Sequence, residues 1–268
     1  MTELLLSRHG QANSAGDNYD QLTATGHEQA RRVGSWLAAN GYSFSRHIHG
    51  GLNRQAQTLE AISAQLAPSA ASLPAPEIHP GLAEFDLKVW GIVAGALRQG
   101  GRGSREPGMA EANVRHGHSE FSELLKRWNK ARHENASNKG EIFKQLTGII
   151  LKEWVKQGEG FTEAESFPAF QRRVLSVLEI HNGGTVMDNH NPGTAPEIHS
   201  SKILALTSGG PISLLTGQVL GLDLAHTLGL MRRIYNTSIH HFALNAGKWD
   251  LVSFNAVPHL SLSERTLV

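Results

Sequence analysis

The chain has 268 residues, no cysteine, and 25 Lys and Arg against 24 Asp and Glu, a formal charge of +1. That length suits one sizeable α/β domain plus an insertion. The basic residues are scattered, which gives no support for nucleic-acid binding. No apolar run approaches a membrane span. The lack of cysteine excludes disulfides, thiolate metal sites and cysteine-nucleophile mechanisms.

In chain order, Glu3-Leu4-Leu5-Leu6-Ser7 reads as a short buried strand broken at Gly10. A strand beginning at Glu3 leaves no room for a cleavable leader, so cytoplasmic residence is expected. A loop rich in Asn, Gly and Asp runs to Asp20. Leu22-Thr23-Ala24-Thr25-Gly26 then opens a helix with Ala30, Val33, Leu37 and Ala38 at helical spacing, and Asn40-Gly41 stops it. His47-Ile48-His49 predicts a second strand. A helix over Arg54–Leu66 shows Ala56, Leu59, Ile62 and Leu66 on one face.

Residues 67–77 read as a surface connection, and Glu77-Ile78-His79 as a short edge strand. The segment 91–108 is Gly- and Arg-rich and reads as mobile. Two amphipathic helices follow, one striped by Phe121, Leu124, Leu125 and Trp128. The other carries Ile142, Phe143, Leu146, Ile149, Ile150, Trp154 and Val155. Residues 92–160 are expected to form a helical cap inserted between core segments 1–91 and 161–268.

Glu165–His181 predicts a helix, and 182–200 a loop. Ile203-Leu204-Ala205-Leu206-Thr207 is a β run buried on both sides. Ser208-Gly209-Gly210-Pro211 opens a helix to Leu220, with Pro in its first turn. A short helix is expected near His226. Ser238–Leu244 and Lys248–Phe254 form a hairpin around Asn245-Ala246-Gly247. Alternating strands and helices predict a three-layer α/β/α sandwich, with a mostly parallel central sheet and a helical cap insertion.

The chemistry gathers at Arg8-His9-Gly10. These residues leave the carboxyl end of a strand, the edge where open α/β sheets bind ligands. Arg presents a charged fork suited to phosphate oxygens, and His can be a nucleophile near neutral pH. Together they point to phosphoryl capture on an imidazole nitrogen. Arg115-His116-Gly117 repeats the tripeptide without a strand before it and reads as coincidence. Arg54 at a helix start opposes the helix dipole, which favours an anionic partner there.

With several motifs in order, the chain resembles the histidine phosphatase superfamily, also called phosphoglycerate mutase-like. Arg8-His9-Gly10 matches its signature. Leu22-Thr23-Ala24-Thr25-Gly26-His27-Glu28-Gln29-Ala30 resembles its next helix start, and Leu52-Asn53-Arg54-Gln55-Ala56-Gln57-Thr58 its second arginine motif. Leu82-Ala83-Glu84-Phe85-Asp86 resembles the segment with the proton donor. Glu165-Ser166 with Phe170 and Arg173 resembles a later helix, and Asn255-Ala256-Val257-Pro258-His259-Leu260 a common ending. There are departures. Ser208 stands where the family has a second His, Gly51 where it has Pro, and Lys88 and Trp90-Gly91-Ile92 where it has Gly and Trp-Glu-Gly. The first bears on the level of activity, the others on substrate class.

The resemblance implies a metal-independent phosphomonoesterase, without cofactor, working through a phosphohistidine on His9 with Glu84 as general acid (Asp86 the runner-up). Arg8, Arg54, Ser208 and Gly209 would bind the phosphate of a small phosphorylated substrate or inorganic phosphate. Gln11, Asn13, Ser14, His49, Arg98 and Arg102 are candidate substrate contacts. Ser208 is first an N-cap. His47 and His49 alone are too few for a metal site. Three alternatives stay open: a non-catalytic phosphate binder of the same fold, a phosphoglycerate mutase-like phosphotransferase, and a protein-interaction module acting through the cap.

Overall fold

The computed structural model describes residues 2–13, 20–67, 73–98, 111–134, 136, 138–182 and 201–267. Two compact units are present: residues 1–84 with 172–268, and residues 85–171.

The larger unit is built on a six-stranded sheet, ordered β3-β2-β4-β1-β5-β6. β1 (Thr2–Arg8), β2 (Arg46–His49), β3 (Pro76–Ile78) and β4 (Ser201–Thr207) run parallel. β5 (Ile239–Asn245) and β6 (Lys248–Ala256) add an antiparallel edge through the expected hairpin. The sheet is therefore mostly parallel, as the sequence pattern predicts. Leu5 pairs with Leu204 in the central strands, and both turn to one face. There they pack with Val33 and Leu37 of α1 (Ala24–Ala39) and Leu59, Ile62 and Leu66 of α2 (Asn53–Leu66).

In the smaller unit, α3 (Leu87–Arg98), α4 (Glu111–His133) and α5 (Lys139–Gln157) surround an apolar interior. Phe121, Leu146 and Trp154 are fully buried. Residues 91–98 are thus helical rather than a mobile segment. Val89, Val93, Ala94 and Leu97 give α3 a buried stripe, and glycine in a helix costs only about 1 kcal/mol each. The tripeptide at Arg115 lies inside α4.

The expected helix over Glu165–His181 divides in two. α6 (Phe167–Leu175) is regular, and Ser176–Asn182 tightens to a 3-10 turn. α7 (Gly209–Leu220) and α8 (Leu224–Met231) follow β4, and α7 packs on β1 and β6. Among the described residues no helix is long and apolar enough to cross a membrane.

Candidate active site

β1 and β4 end side by side, with Arg8 in register with Thr207. The N–H of His9 donates to the Thr207 carbonyl at 3.0 Å. One residue beyond each strand, His9 and Ser208 therefore stand at the same sheet edge.

His9 is almost completely buried. Arg54 Nε donates to its Nε2 at 3.2 Å, and its Nδ1 lies 2.7 Å from the Gly10 carbonyl oxygen. A guanidinium can only donate, so Nε2 holds the lone pair and Nδ1–H donates to Gly10. Burial, then Arg8 and Arg54, holds the imidazole well below its ordinary pKa, against a smaller upward pull from Gly10. A neutral imidazole with a fixed tautomer and a lone pair is chemically able to act as a nucleophile. Gly10 itself cannot be larger. A Cβ there would lie 2.4 Å from the Gly26 carbonyl oxygen, where the start of α1 meets the loop.

Arg54 is buried in the first turn of α2. Among the described residues Asp20 is an anionic partner, and its Oδ1 accepts from Nη1 at 2.7 Å. Asp20 Oδ2 also accepts the N–H of Asn53 at 2.9 Å, supplying a carboxylate to the N-terminus of α2. Thr58 links α2 to the loop, accepting from Gly10 N–H at 3.0 Å and donating to the Arg54 carbonyl at 2.6 Å. Arg8 Nη1 donates to the carbonyls of Ile234 and, at 2.8 Å, Leu267.

Glu84 reaches the start of α7, where its Oε2 accepts from Gly210 N–H at 3.0 Å. Ser208 occupies the N-cap position of α7 but makes no side-chain cap, contrary to the sequence expectation. Its Oγ accepts instead from Gln55 Nε2 at 3.1 Å.

A buried turn supports His9 from behind. Asn236 Nδ2 donates to the His9 carbonyl at 3.1 Å, and Thr237 N–H to the Arg8 carbonyl at 3.1 Å. Thr237 has φ 55°, an unfavourable conformation for a β-branched residue. The ending noted in the sequence secures this turn. His259 Nε2 lies 3.0 Å from Thr237 Oγ1, and Asn255 Oδ1 accepts the N–H of Tyr235 at 2.9 Å.

His9, Arg54, Glu84, Ser208 and Gly209 therefore gather around the ends of β1 and β4 and the starts of α2 and α7. The other candidates are placed differently. Gln11 accepts from the Thr23 hydroxyl at 2.9 Å and steadies the start of α1. Asn13 N–H donates to the Gln21 carbonyl at 2.8 Å. His49 Nδ1 accepts from Gly51 N–H at 3.0 Å and shapes the turn after β2. Arg98 is exposed at the end of α3. Ser14 and Arg102 lie outside the described residues. Among the described residues, no three His, Asp or Glu side chains converge as a metal site.

Sequence reasoning missed Asp20, Gln55, Asn236 and Thr237. Gln55 had a signal: it stands four residues before Leu59, on the stripe that continues through Ile62 and Leu66. A polar residue on a buried stripe calls for partners.

The sequence profile of the histidine phosphatase superfamily, branch 1, matches residues 4–148 and 140–257. The chain belongs to the histidine phosphatase superfamily. Solved structures agree in fold. YhfR of Bacillus stearothermophilus is 16% identical, with a TM-score of 0.55 over 97% of this chain and 99% of that one. A putative alpha-ribazole-5'-P phosphatase of Escherichia coli is 21% identical, with a TM-score of 0.55 over 96% and 97%. Phosphoserine phosphatase of Entamoeba histolytica, in complex with 3-phosphoglyceric acid, is 19% identical, with a TM-score of 0.55 over 97% and 100%. No curated protein sequence matches the chain significantly. A phosphoglycerate mutase of Bacillus anthracis shares the fold at 14% identity, with a TM-score of 0.55 over 96% of this chain and 94% of that one.

Proposed function

We propose that the chain is a phosphatase that hydrolyses a phosphate monoester through a phosphohistidine on Nε2 of His9. The observation that carries this reading is the contact of Arg54 Nε with His9 Nε2, which marks Nε2 as the nitrogen with the lone pair and sets it beside a fixed positive charge. Burial first, then Arg8 and Arg54, keeps the ring neutral, and the incoming phosphoryl oxygens draw Arg54 off that lone pair. Nε2 attacks phosphorus, the P–O ester bond breaks, and Glu84 gives its proton to the leaving oxygen. Water then attacks the phosphohistidine, Glu84 takes back a proton, and the P–N bond breaks to release phosphate. Arg54, the Ser208 hydroxyl and the start of α7 stabilise charge on the non-bridging oxygens, and Arg8, whose Nη1 is held by backbone carbonyls, adds its positive charge beside His9. In this reading the chain's own groups carry every step, and the substrate is a small phosphorylated molecule.

A phosphate binder without turnover is the second reading. It is favoured by the neutral Ser208 and by Arg8 Nη1 being engaged with backbone carbonyls. Turnover of para-nitrophenyl phosphate, with and without EDTA, separates the two. We expect EDTA-insensitive hydrolysis that His9→Ala abolishes, and an acid-labile, base-stable labelled adduct on His9 after rapid quench. Turnover surviving in His9→Ala, or an adduct elsewhere, overturns the phosphohistidine. Phosphate binding without turnover establishes the binder.

A further inference from the structure

Ser208 stands where a serine ordinarily accepts a hydrogen bond from the amides of the helix it opens. Here that bond is not made. The hydroxyl oxygen accepts instead from Gln55 Nε2, on a different helix, at 3.1 Å. The same nitrogen donates to the Leu82 carbonyl at 3.0 Å. Gln55 Oε1 accepts the N–H of Leu52 at 3.4 Å, so the amide is oriented from both ends. A flipped amide would set oxygen against the Leu82 carbonyl and nitrogen against the Leu52 N–H.

Gln55 is fully buried and Ser208 nearly so. An amide nitrogen has hydrogens to give and nothing to accept with. Ser208 Oγ is therefore the acceptor in this pair, and its own proton points elsewhere. Ser208 comes directly after Thr207, whose carbonyl accepts the His9 N–H, and two residues before Gly210, whose N–H holds Glu84.

We propose that Gln55 and Ser208 form a neutral donor relay. Gln55 fixes the serine oxygen as an acceptor, so that the hydroxyl proton is offered to a non-bridging oxygen of the phosphoryl group on His9. Gln55 is a positioning residue, and Ser208 makes the contact. The relay rests on the phosphatase reading and adds a specific consequence. A hydroxyl does not titrate between about pH 5 and 8, where an imidazole in its place would. At this corner of the site the protein then contributes no titrating group, and only the ionisation of phosphate itself varies with pH.

The test is a double-mutant cycle on inorganic phosphate binding by calorimetry, with kcat and KM for para-nitrophenyl phosphate beside it. The variants are Gln55→Met, Ser208→Ala and the pair. Each single change should weaken phosphate binding by about 3- to 10-fold, one neutral hydrogen bond's worth. The pair should be no weaker than Ser208→Ala alone. Across about pH 5.5 to 8 the ratio of wild type to Ser208→Ala should change only with the ionisation of phosphate itself.

Additive losses in the pair, or a ratio that titrates apart from phosphate's own ionisation, overturn the relay. Gln55→Glu is isosteric and decides the matter if Gln55→Met does not fold. Its oxygen in place of Nε2 would accept the serine proton, so phosphate should bind more weakly than to wild type. Binding equal to wild type overturns the relay. Wild type that binds phosphate, loses it in Arg54→Gln and gives an additive cycle defeats the relay alone. Wild type that neither binds phosphate nor turns over substrate defeats the phosphatase reading as well.

Discussion

Glu84 reaches the N-terminus of α7 through space that only a glycine at position 210 leaves open. Its Oε2 accepts the Gly210 N–H at 3.0 Å, and a Cβ on residue 210 would lie 2.1 Å from its Oε1. The obstructing atom is the end of a flexible side chain, so Gly210→Ala should fold and push the carboxylate aside. General acid catalysis contributes about 10²–10⁴ in rate. We expect kcat on an alkyl phosphate to fall within that range. Para-nitrophenyl phosphate should lose much less, because nitrophenolate leaves without a proton. Steady-state kinetics on the two substrates checks this. Equal losses would place the damage outside proton donation.

Asp20 holds Arg54 from the side away from His9. In a guanidinium, Nε and Nη2 form one donor fork, and Nη1 lies across from it. Nε faces His9 and Nη1 faces Asp20. In the proposed reading the phosphoryl group approaches on the Nε side, the side that Asp20 leaves to His9. Asp20→Ala should weaken phosphate binding at least about tenfold, by releasing a charge-assisted bond of roughly 1.5–3 kcal/mol. Asp20→Asn keeps an acceptor for Arg54 and for Asn53 N–H and should fall between. In an Arg54→Gln background the Asp20 effect on phosphate should largely vanish. Tighter binding in Asp20→Asn would instead make Asp20 a competitor for the arginine.

Stability should fall on mild acidification. His9, His240 and His259 are all held below the ordinary imidazole pKa, first by burial. Arg8 adds to this at His9 and His240, and Arg32 at His259. Below an unfolded value of about 6.5 the unfolded chain therefore binds more protons than the folded one. Stability is full above that pH and is lost as pH drops toward the folded values. His240 is pushed down to about 3 and His259 to about 4, so each costs about 2 kcal/mol at pH 5. Urea unfolding should show a loss of about 4 kcal/mol or more between about pH 7.5 and 5. A flat profile would mean that these rings are solvated or charged in the folded protein.

Local pattern carried much of this architecture. β1 was legible as a short apolar run ending in Arg8-His9-Gly10, the hairpin as two strands around Asn245-Ala246-Gly247, and α2 as a stripe ending at Leu66. Arg54 was legible as a cation at the wrong end of a helix. Its partner was not. Asp20 follows an Asn- and Gly-rich stretch of sequence and meets Arg54 across 34 positions, a pairing no local period encodes. Ser208 shows the same limit. Its sequence context predicts a cap, and a buried amide from α2 redirects its hydroxyl. Thr237 looks like an ordinary residue ahead of a strand. Its positive φ arises from the Arg8 carbonyl and the His259 ring that hold it.

The central place of β1 has a consequence for how the protein is made. Its strand neighbours are β4 and β5, and the backbone of Arg8 and His9 is bonded to Thr207, Asn236, Thr237 and Ser238. Every one of these partners is synthesised about 200 residues later. At a ribosomal rate of about 5–20 residues per second, Leu4-Leu5-Leu6 waits roughly 10–40 s for a strand to pair with. Such distant pairing slows folding and leaves apolar β sequence exposed in the meantime. The imidazole at position 9 is translated well before the residues that hold it in place.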